Sequence, residues 1–173
     1  MNQRLLNFYR GKDLDAAGRS LGTILEQDDD WWELTHDFIQ WLFPLDEPSR
    51  HSPNAPLLDA DTIAAFQADA QAMANLQLAL TRFMAFLGLD LLPGDGYAKR
   101  ATWNRSKRRW FTRDTHNSLR ITRAMKSLIL LGQPEWAEHL HRTLRDLCVN
   151  ERGCDLSTMT RSHWRAVFAD LDD

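Results

Sequence analysis

The sequence lacks the features that mark several large classes of protein. Only two of its 173 residues are cysteines, so at most one disulfide bond is available and no disulfide framework is expected. No apolar run reaches the roughly 18 residues needed to cross a bilayer, because polar and charged side chains interrupt even residues 76–92. The first residues lack the long apolar centre of a secretory signal. These absences predict a cytoplasmic protein without a transmembrane segment, and they leave peripheral membrane association open.

Signatures of catalysis and of metal binding are also missing. The chain contains no glycine-rich phosphate loop and no nucleophile elbow. Cys148 and Cys154 lack the paired spacing of a zinc site. His139 and His141 would point about 200° apart on a helix, which makes them poor joint metal ligands. The sequence therefore predicts that the protein is not an enzyme and that it holds neither a metal nor a cofactor.

Basic and acidic residues are distributed unevenly along the chain. Residues 99–126 hold ten Lys or Arg and a single acid, so they carry a net charge of +9 within a protein of net charge −3. Eight acids lie within the first forty residues. Such blocks either bind external ions of opposite sign or neutralise one another within the fold.

The apolar residues recur at the three- and four-residue spacing of helices along the whole chain. Residues that cap or open helices precede these segments, and glycines follow three of them. The pattern predicts one all-α domain over residues 1–173, an irregular bundle of about seven or eight helices, with no sheet beyond an incidental pair of residues. The predicted helix starts are Ser20, the aspartate run at residues 28–30, Asp59, Asp69, Thr115 and Pro134, and the predicted stops are Gly11, Gly88 and Gly132.

The most apolar of these segments, residues 31–43, is predicted to form a central helix. Its apolar residues cover more than half of a helical circumference, and Pro44 ends it. A proline-rich loop is predicted to follow, up to residue 56. His36 and Gln40 lie one turn apart on the remaining polar strip, where they are candidates for hydrogen-bonding a ligand or a neighbouring carbonyl group. At the other end of the chain, a last helix is predicted to align Trp164, Val167, Phe168 and Leu171 on one face.

The helix after Thr115 is predicted to have a polar, positive face. His116, Arg120, Arg123 and Ser127 fall within about 60° of one another, opposite the apolar residues of the same helix. Two guanidinium groups placed in this way suit a carboxylate or a phosphate. The alternative is that the face is solvated or forms ion pairs with the acidic N-terminal third.

A second candidate surface combines cations with aromatic rings. Trp103, Trp110 and Phe111 are interleaved with a basic cluster, a combination that suits phosphate contacts and base stacking in a nucleic-acid or phospholigand binder. The same rings fit equally well in a hydrophobic core, the pI is about 6.1 and no known nucleic-acid motif is present. The cations of this alternative are Arg105, Lys107, Arg108, Arg109 and Arg113.

Two sequence phrases resemble a known family. Residues 36–45 read HDFIQWLFPL and are followed by Glu47 and Pro48, whereas residues 116–123 read HNSLRITR and are followed by KSL at 126–128. Both resemble motifs of the conserved N-terminal region of the opioid growth factor receptor family, in the right order. The resemblance extends over nearly the whole chain, and the length matches the compact versions found in bacteria.

The resemblance implies a binding module that recognises a peptide or protein partner. Animal members of the family are associated with the nucleus and its envelope, and they bind the pentapeptide methionine-enkephalin. The polar residues of the two phrases are therefore the candidate ligand-binding set, namely His36, Gln40, His116, Asn117, Arg120, Arg123 and Ser127.

Overall fold

The computed structural model describes residues 1–49, 52–94 and 96–169. Within these ranges the chain forms ten α-helices and one two-stranded hairpin, so the all-α class is confirmed. The helices outnumber the seven or eight predicted because some are only one turn long. They are α1 (Gln3–Tyr9), α2 (Leu21–Glu26), α3 (Asp29–Leu34), α4 (Ile39–Leu42), α5 (Ala60–Gln67), α6 (Ala70–Leu87), α7 (Trp103–Ser106), α8 (His116–Leu130), α9 (Pro134–Asn150) and α10 (Thr158–Ala166), and the strands are β1 (Leu89–Leu92) and β2 (Gly96–Lys99).

The contacts within the chain define two compact units. The first unit comprises Met1–Phe83 with Leu130–Gly132, and the second comprises Met84–Ile129 with the described residues from Gln133 onwards. None of the helices in the described ranges is long and apolar enough to span a membrane.

Helix starts in the first unit follow the predicted caps. In each case a side-chain oxygen of the residue before the helix accepts a backbone N–H group three residues further on, at 2.7–3.1 Å. This bond satisfies one of the donors that a helix start leaves without a partner. The capping residues are Ser20, Asp28, Asp59 and Asp69.

The predicted central helix over residues 31–43 is wrong, because the chain leaves the helix at Thr35, which has an extended backbone, and begins a new one at Ile39. The ring of Phe38, which follows the break, lies 4.9 Å from the rings of both Trp31 and Trp32, which are neighbours in α3. Leu34, one of the apolar residues of the predicted helix, is 77% exposed. The single polar strip predicted for this segment therefore does not exist.

The first unit is held together by aromatic side chains. The ring centroids of Phe8 and Trp41 lie 5.3 Å apart, and those of Tyr9 and Phe66 lie 4.7 Å apart. Both pairs are edge-to-face, an arrangement that aromatic rings prefer. All four side chains are at most 2% exposed. The Tyr9 hydroxyl donates a hydrogen bond to the Leu42 carbonyl, and burial raises the pKa of Tyr9 well above its usual value.

The proline-rich segment after α4 forms a loop, as predicted. Its two ends meet where the backbone N–H of Leu58 donates to the carbonyl of Leu45 at 2.9 Å. Residues 50 and 51 of this loop lie outside the described residues.

The second unit contains a β-hairpin that the sequence pattern did not predict. β1 pairs with β2 in antiparallel register, from Leu89 opposite Lys99 to Leu92 opposite Gly96. The sequence Pro93-Gly94 predicts a turn, and both residues lie in one, whereas residue 95 lies outside the described residues and Gly96 already belongs to β2. The flanking residues lack the β-branched alternation that would have indicated strands. The expectation of no more than an incidental pair of sheet residues is therefore wrong.

Three aromatic rings form a buried cluster in the second unit. Trp103, Trp110 and Phe111 form a triangle with ring centroids 5.1–6.0 Å apart, and each is at most 5% exposed. The last helix is shorter than predicted, because α10 ends at Ala166, before Val167 and Phe168. Leu171, predicted for the same face, lies outside the described residues.

Candidate functional site

The polar residues of α8 are not a solvated strip. The buried arc of this helix covers about half of its circumference, and it includes Asn117, Arg120 and Ser127 together with Ile121 and other apolar residues. Arg120 is 5% exposed and Ser127 is fully buried. The interpretation of this face as solvated is therefore wrong for these residues.

Buried hydrogen bonds connect the start of α8 to the segment before it. The side-chain amide of Asn117 donates to the carbonyl of Arg109 at 3.0 Å, and its oxygen accepts from Nη1 of Arg120 at 3.1 Å. On another side of the helix, the indole N–H of Trp164 donates to the carbonyl of Ser118 at 3.3 Å. Because buried polar groups are costly unless they are paired, these bonds fix the geometry of the first two turns.

A different part of α8 faces solvent, and we call it the outer face of α8. It consists of the exposed side chains His116, Leu119 and Lys126 with the half-buried Arg123. Leu119 is 61% exposed and lies between cationic neighbours on this face. The outer face of α8 thus presents positive charge and an apolar side chain together.

His36 and Gln40 belong to the first unit and do not share a helical face. His36 is exposed in the link between α3 and α4, whereas Gln40 lies within α4 and is 5% exposed. Among the described residues, the side-chain oxygen of Gln40 has no hydrogen-bond partner. Of the seven predicted ligand-binding residues, only His36, His116 and Arg123 are thus more than marginally accessible.

The basic segment offers cations but no aromatic platform. All three aromatic rings interleaved with the basic segment are buried, so the prediction that they belong to the core is right and they are not available for stacking on bases.

Some cations of the basic segment have acidic partners. Lys107 pairs with Glu151 at 3.1 Å, and Arg113 lies 3.5 Å from Asp155. Hydrogen bonds from Lys99 and Lys107 lower the pKa of Glu151 to about 2. The Arg109 guanidinium lies 5.3 Å from the ring centroid of Phe86, while Arg105 and Arg108 are exposed.

Several early acids pair with arginines of their own unit. Arg19 contacts Asp15 at 2.6 Å and Asp37 at 2.9 Å, and Arg82 contacts Asp29 at 3.0 Å. Part of the acidic block is therefore neutralised locally.

Asn117→Ala is expected to lower the free energy of unfolding by about 2–3 kcal/mol, because it removes a partner from two buried polar groups at once. The matched control is Ser127→Ala, on the same buried arc. The Ser127 hydroxyl has no hydrogen-bond partner among the described residues, so its loss should cost less than about 0.5 kcal/mol. Urea denaturation measures both variants, and equal destabilisation would contradict the assigned hydrogen bonds.

One concave site could not be predicted from the sequence. A cleft of ≈ 390 Å³ in the second unit is lined by His141, Ser162, Arg165, Ala166, Phe168 and Ala169. The sequence pattern predicted Phe168 on the apolar face of the last helix, and His141 was weighed only as a possible metal ligand. No local pattern links residues 27 positions apart on different elements, so only the tertiary structure brings them together.

Comparison with known proteins gives a consistent result. Residues 3–164 match the model of the opioid growth factor receptor conserved region. The chain is 32% identical over 142 residues to a protein named opioid growth factor receptor from Rattus norvegicus, a match that covers 79% of this chain and 24% of that protein. It is also 32% identical over 134 residues to opioid growth factor receptor-like protein 1 from the same organism, covering 73% and 28% of the two chains.

The human protein named opioid growth factor receptor is 33% identical over 132 residues, covering 73% of this chain and 19% of the human protein. The chain thus spans about a quarter of the length of the curated relatives it matches. No solved structure matches it. Because the family model covers all but a few residues at either end, the chain belongs to the opioid growth factor receptor family.

Proposed function

We propose that this domain is a non-enzymatic binding module for a peptide or protein ligand that carries a negative charge, and that it acts in the cytoplasm. The observation that carries the proposal is the family match over residues 3–164, with relatives that are named receptors. A binding role also agrees with the absence of any catalytic signature from the sequence.

The outer face of α8 is the best-supported docking surface for such a ligand. It lies within residues 99–126, which carry a net charge of +9, so its charge complements an anionic partner. Leu119 adds an exposed apolar contact beside the cations. The buried residues of the predicted set, Asn117 and Arg120, support this face from beneath rather than touch the ligand.

A free C-terminal carboxylate is the anionic group that a small peptide always offers. The Arg123 guanidinium can bind it through paired, charge-assisted hydrogen bonds. His116 lies two helical turns before Arg123 on the same side of α8, where it can donate to another polar group of the peptide. Methionine-enkephalin, the ligand implied by the family resemblance, has such a carboxylate and is therefore a suitable probe.

Arg123→Ala is expected to weaken the binding of methionine-enkephalin at least tenfold in isothermal titration calorimetry, because a charge-assisted hydrogen bond contributes about 1.5–3 kcal/mol. Arg152→Ala, which removes an exposed arginine elsewhere in the second unit, is the control and should bind like the parent.

Amidation of the peptide C-terminus should cause a similar loss in the parent protein and no further loss in Arg123→Ala, since both changes remove the same contact. Denaturation curves of each variant separate lost binding from lost folding. Equal affinity for the free-acid and amidated peptides would contradict the proposed carboxylate contact.

The nucleic-acid or phospholigand alternative rests on cations alone once the rings are buried. Its favourable observation is the exposure of Arg105, Arg108 and Arg113. Phosphate contacts weaken steeply with salt, so an oligonucleotide that binds at 50 mM salt should be lost at about 200 mM if this alternative holds. Binding that tracks Arg108→Ala rather than Arg123→Ala would favour it over the peptide proposal.

A further inference from the structure

The cleft lined by His141 and Phe168 combines a flat apolar wall with polar groups. The two rings stack with centroids 5.0 Å apart and planes inclined by 25°. Ala166 and Ala169 extend the apolar surface, and Ser162 contributes a hydroxyl group. An arrangement of this kind accepts a planar apolar body and orients it through a few polar contacts.

The charged groups around the cleft are cations. Burial lowers the pKa of His141 below its usual value, and the positive charges of Arg145 and Arg165 lower it further. Arg165 lines the cleft itself, and Arg145 lies one helical turn after His141 on α9. Among the described residues, no acid forms an ion pair with either arginine, so their charge is available to an external anion.

The volume limits what the cleft can hold. At ≈ 390 Å³ it lies near the lower end of the roughly 300–1,000 Å³ typical of ligand sites, and so it suits a molecule of one ring with a short polar group. We propose that this cleft binds a small organic carboxylate with a flat apolar body, placing the ring against Phe168 and His141 and the carboxylate against Arg165 and Ser162. It uses no residue of the outer face of α8, so either site can fail without the other.

The test uses benzoate and its neutral isostere benzamide as probes of the full chain. Benzoate is expected to shift the NMR resonances of His141 and Phe168 saturably, and benzamide to bind at least tenfold more weakly because it lacks the charge that Arg165 recognises. Arg165→Gln should weaken benzoate binding at least fivefold. Arg152→Gln, an exposed arginine outside the cleft, should leave it unchanged.

Phe168→Leu provides a second variant, which keeps the cleft apolar but removes the flat wall and should weaken benzoate binding severalfold. Equal affinity for benzoate and benzamide, unaltered binding by Arg165→Gln, or shifts confined to residues outside the cleft would overturn the proposal.

The same carboxylate chemistry has two sources, a free aromatic acid or the last residue of a peptide. The tripeptide Gly-Gly-Phe, with its carboxylate free, distinguishes them in competition with benzoate. Displacement of benzoate by the tripeptide supports the site and assigns a peptide terminus as its ligand, whereas benzoate binding without displacement supports it and assigns a free acid.

Discussion

Replacing Trp110 by alanine is expected to lower the free energy of unfolding by about 3–5 kcal/mol, the usual cost of emptying the site of a buried large ring. Trp110 is fully buried and forms the aromatic triangle with Trp103 and Phe111. Its indole N–H also donates to the carbonyl of Leu87 at 3.0 Å. That carbonyl is one of those that the end of α6 leaves without a partner inside the helix.

The hydrogen bond can be separated from the packing by phenylalanine substitutions at two corners of the triangle. Trp110→Phe removes the indole donor and leaves the Leu87 carbonyl without it. Trp103→Phe removes an indole N–H that has no partner among the described residues, although the ring is 5% exposed and similarly packed. We therefore expect Trp110→Phe to be less stable than Trp103→Phe by about 1–2 kcal/mol in urea denaturation. Equal losses, or a larger loss in Trp103→Phe, would show that the bond contributes nothing.

The features that the sequence predicted well depend on short stretches of chain. Capping by Ser20, Asp59 and Asp69 needs only a side-chain oxygen within three residues of a backbone N–H group, and proline at the first turn of α9 needs only its fixed φ. Such signals depend little on the tertiary structure, and so these helix starts were placed correctly.

The break between α3 and α4 illustrates what local pattern cannot supply. The apolar residues of 31–43 match a helical period, but they suit equally well a bent chain in which the Phe38 ring contacts two tryptophans. The polar strip predicted for His36 and Gln40 failed with the helix, because their relative direction depended on an unbroken backbone.

For α8 the residue types were read correctly but their environment was not. Helical periodicity places Arg120 and Ser127 on one face, yet it does not state which arcs of the helix neighbouring elements cover. The buried arc includes Asn117 and Arg120, and so these two of the predicted ligand-binding residues form a structural hydrogen bond with each other. The accessible part of the candidate site is the outer face of α8, which keeps His116 and Arg123 from the predicted face and adds Leu119 and Lys126.

Gly88→Ala is expected to destabilise the protein by about 3 kcal/mol or more, through backbone strain and a steric clash together. Gly88 ends α6 with φ +89°, a left-handed conformation that side chains other than glycine rarely adopt. A Cβ atom at this position would lie 2.8 Å from the Cβ atom of Ser106 and 3.2 Å from the Cα atom of Trp103. Both atoms are fixed by the backbone of α7, and so rotating a side chain does not relieve the clash.

Gly153 is the matched control for this substitution, because its φ of +88° imposes nearly the same strain while nothing lies within 4 Å of the position that a Cβ atom would occupy. Gly153→Ala should therefore cost only the conformational part, about 1–2 kcal/mol. The difference between the two variants measures the steric contact alone.

The variant Ser106→Gly in the Gly88→Ala background should recover part of the lost stability, because it removes the nearer contact while the contact with Trp103 persists. If Gly88→Ala and Gly153→Ala unfold at the same urea concentration, the end of α6 does not approach α7 as closely as the distances to Ser106 and Trp103 indicate.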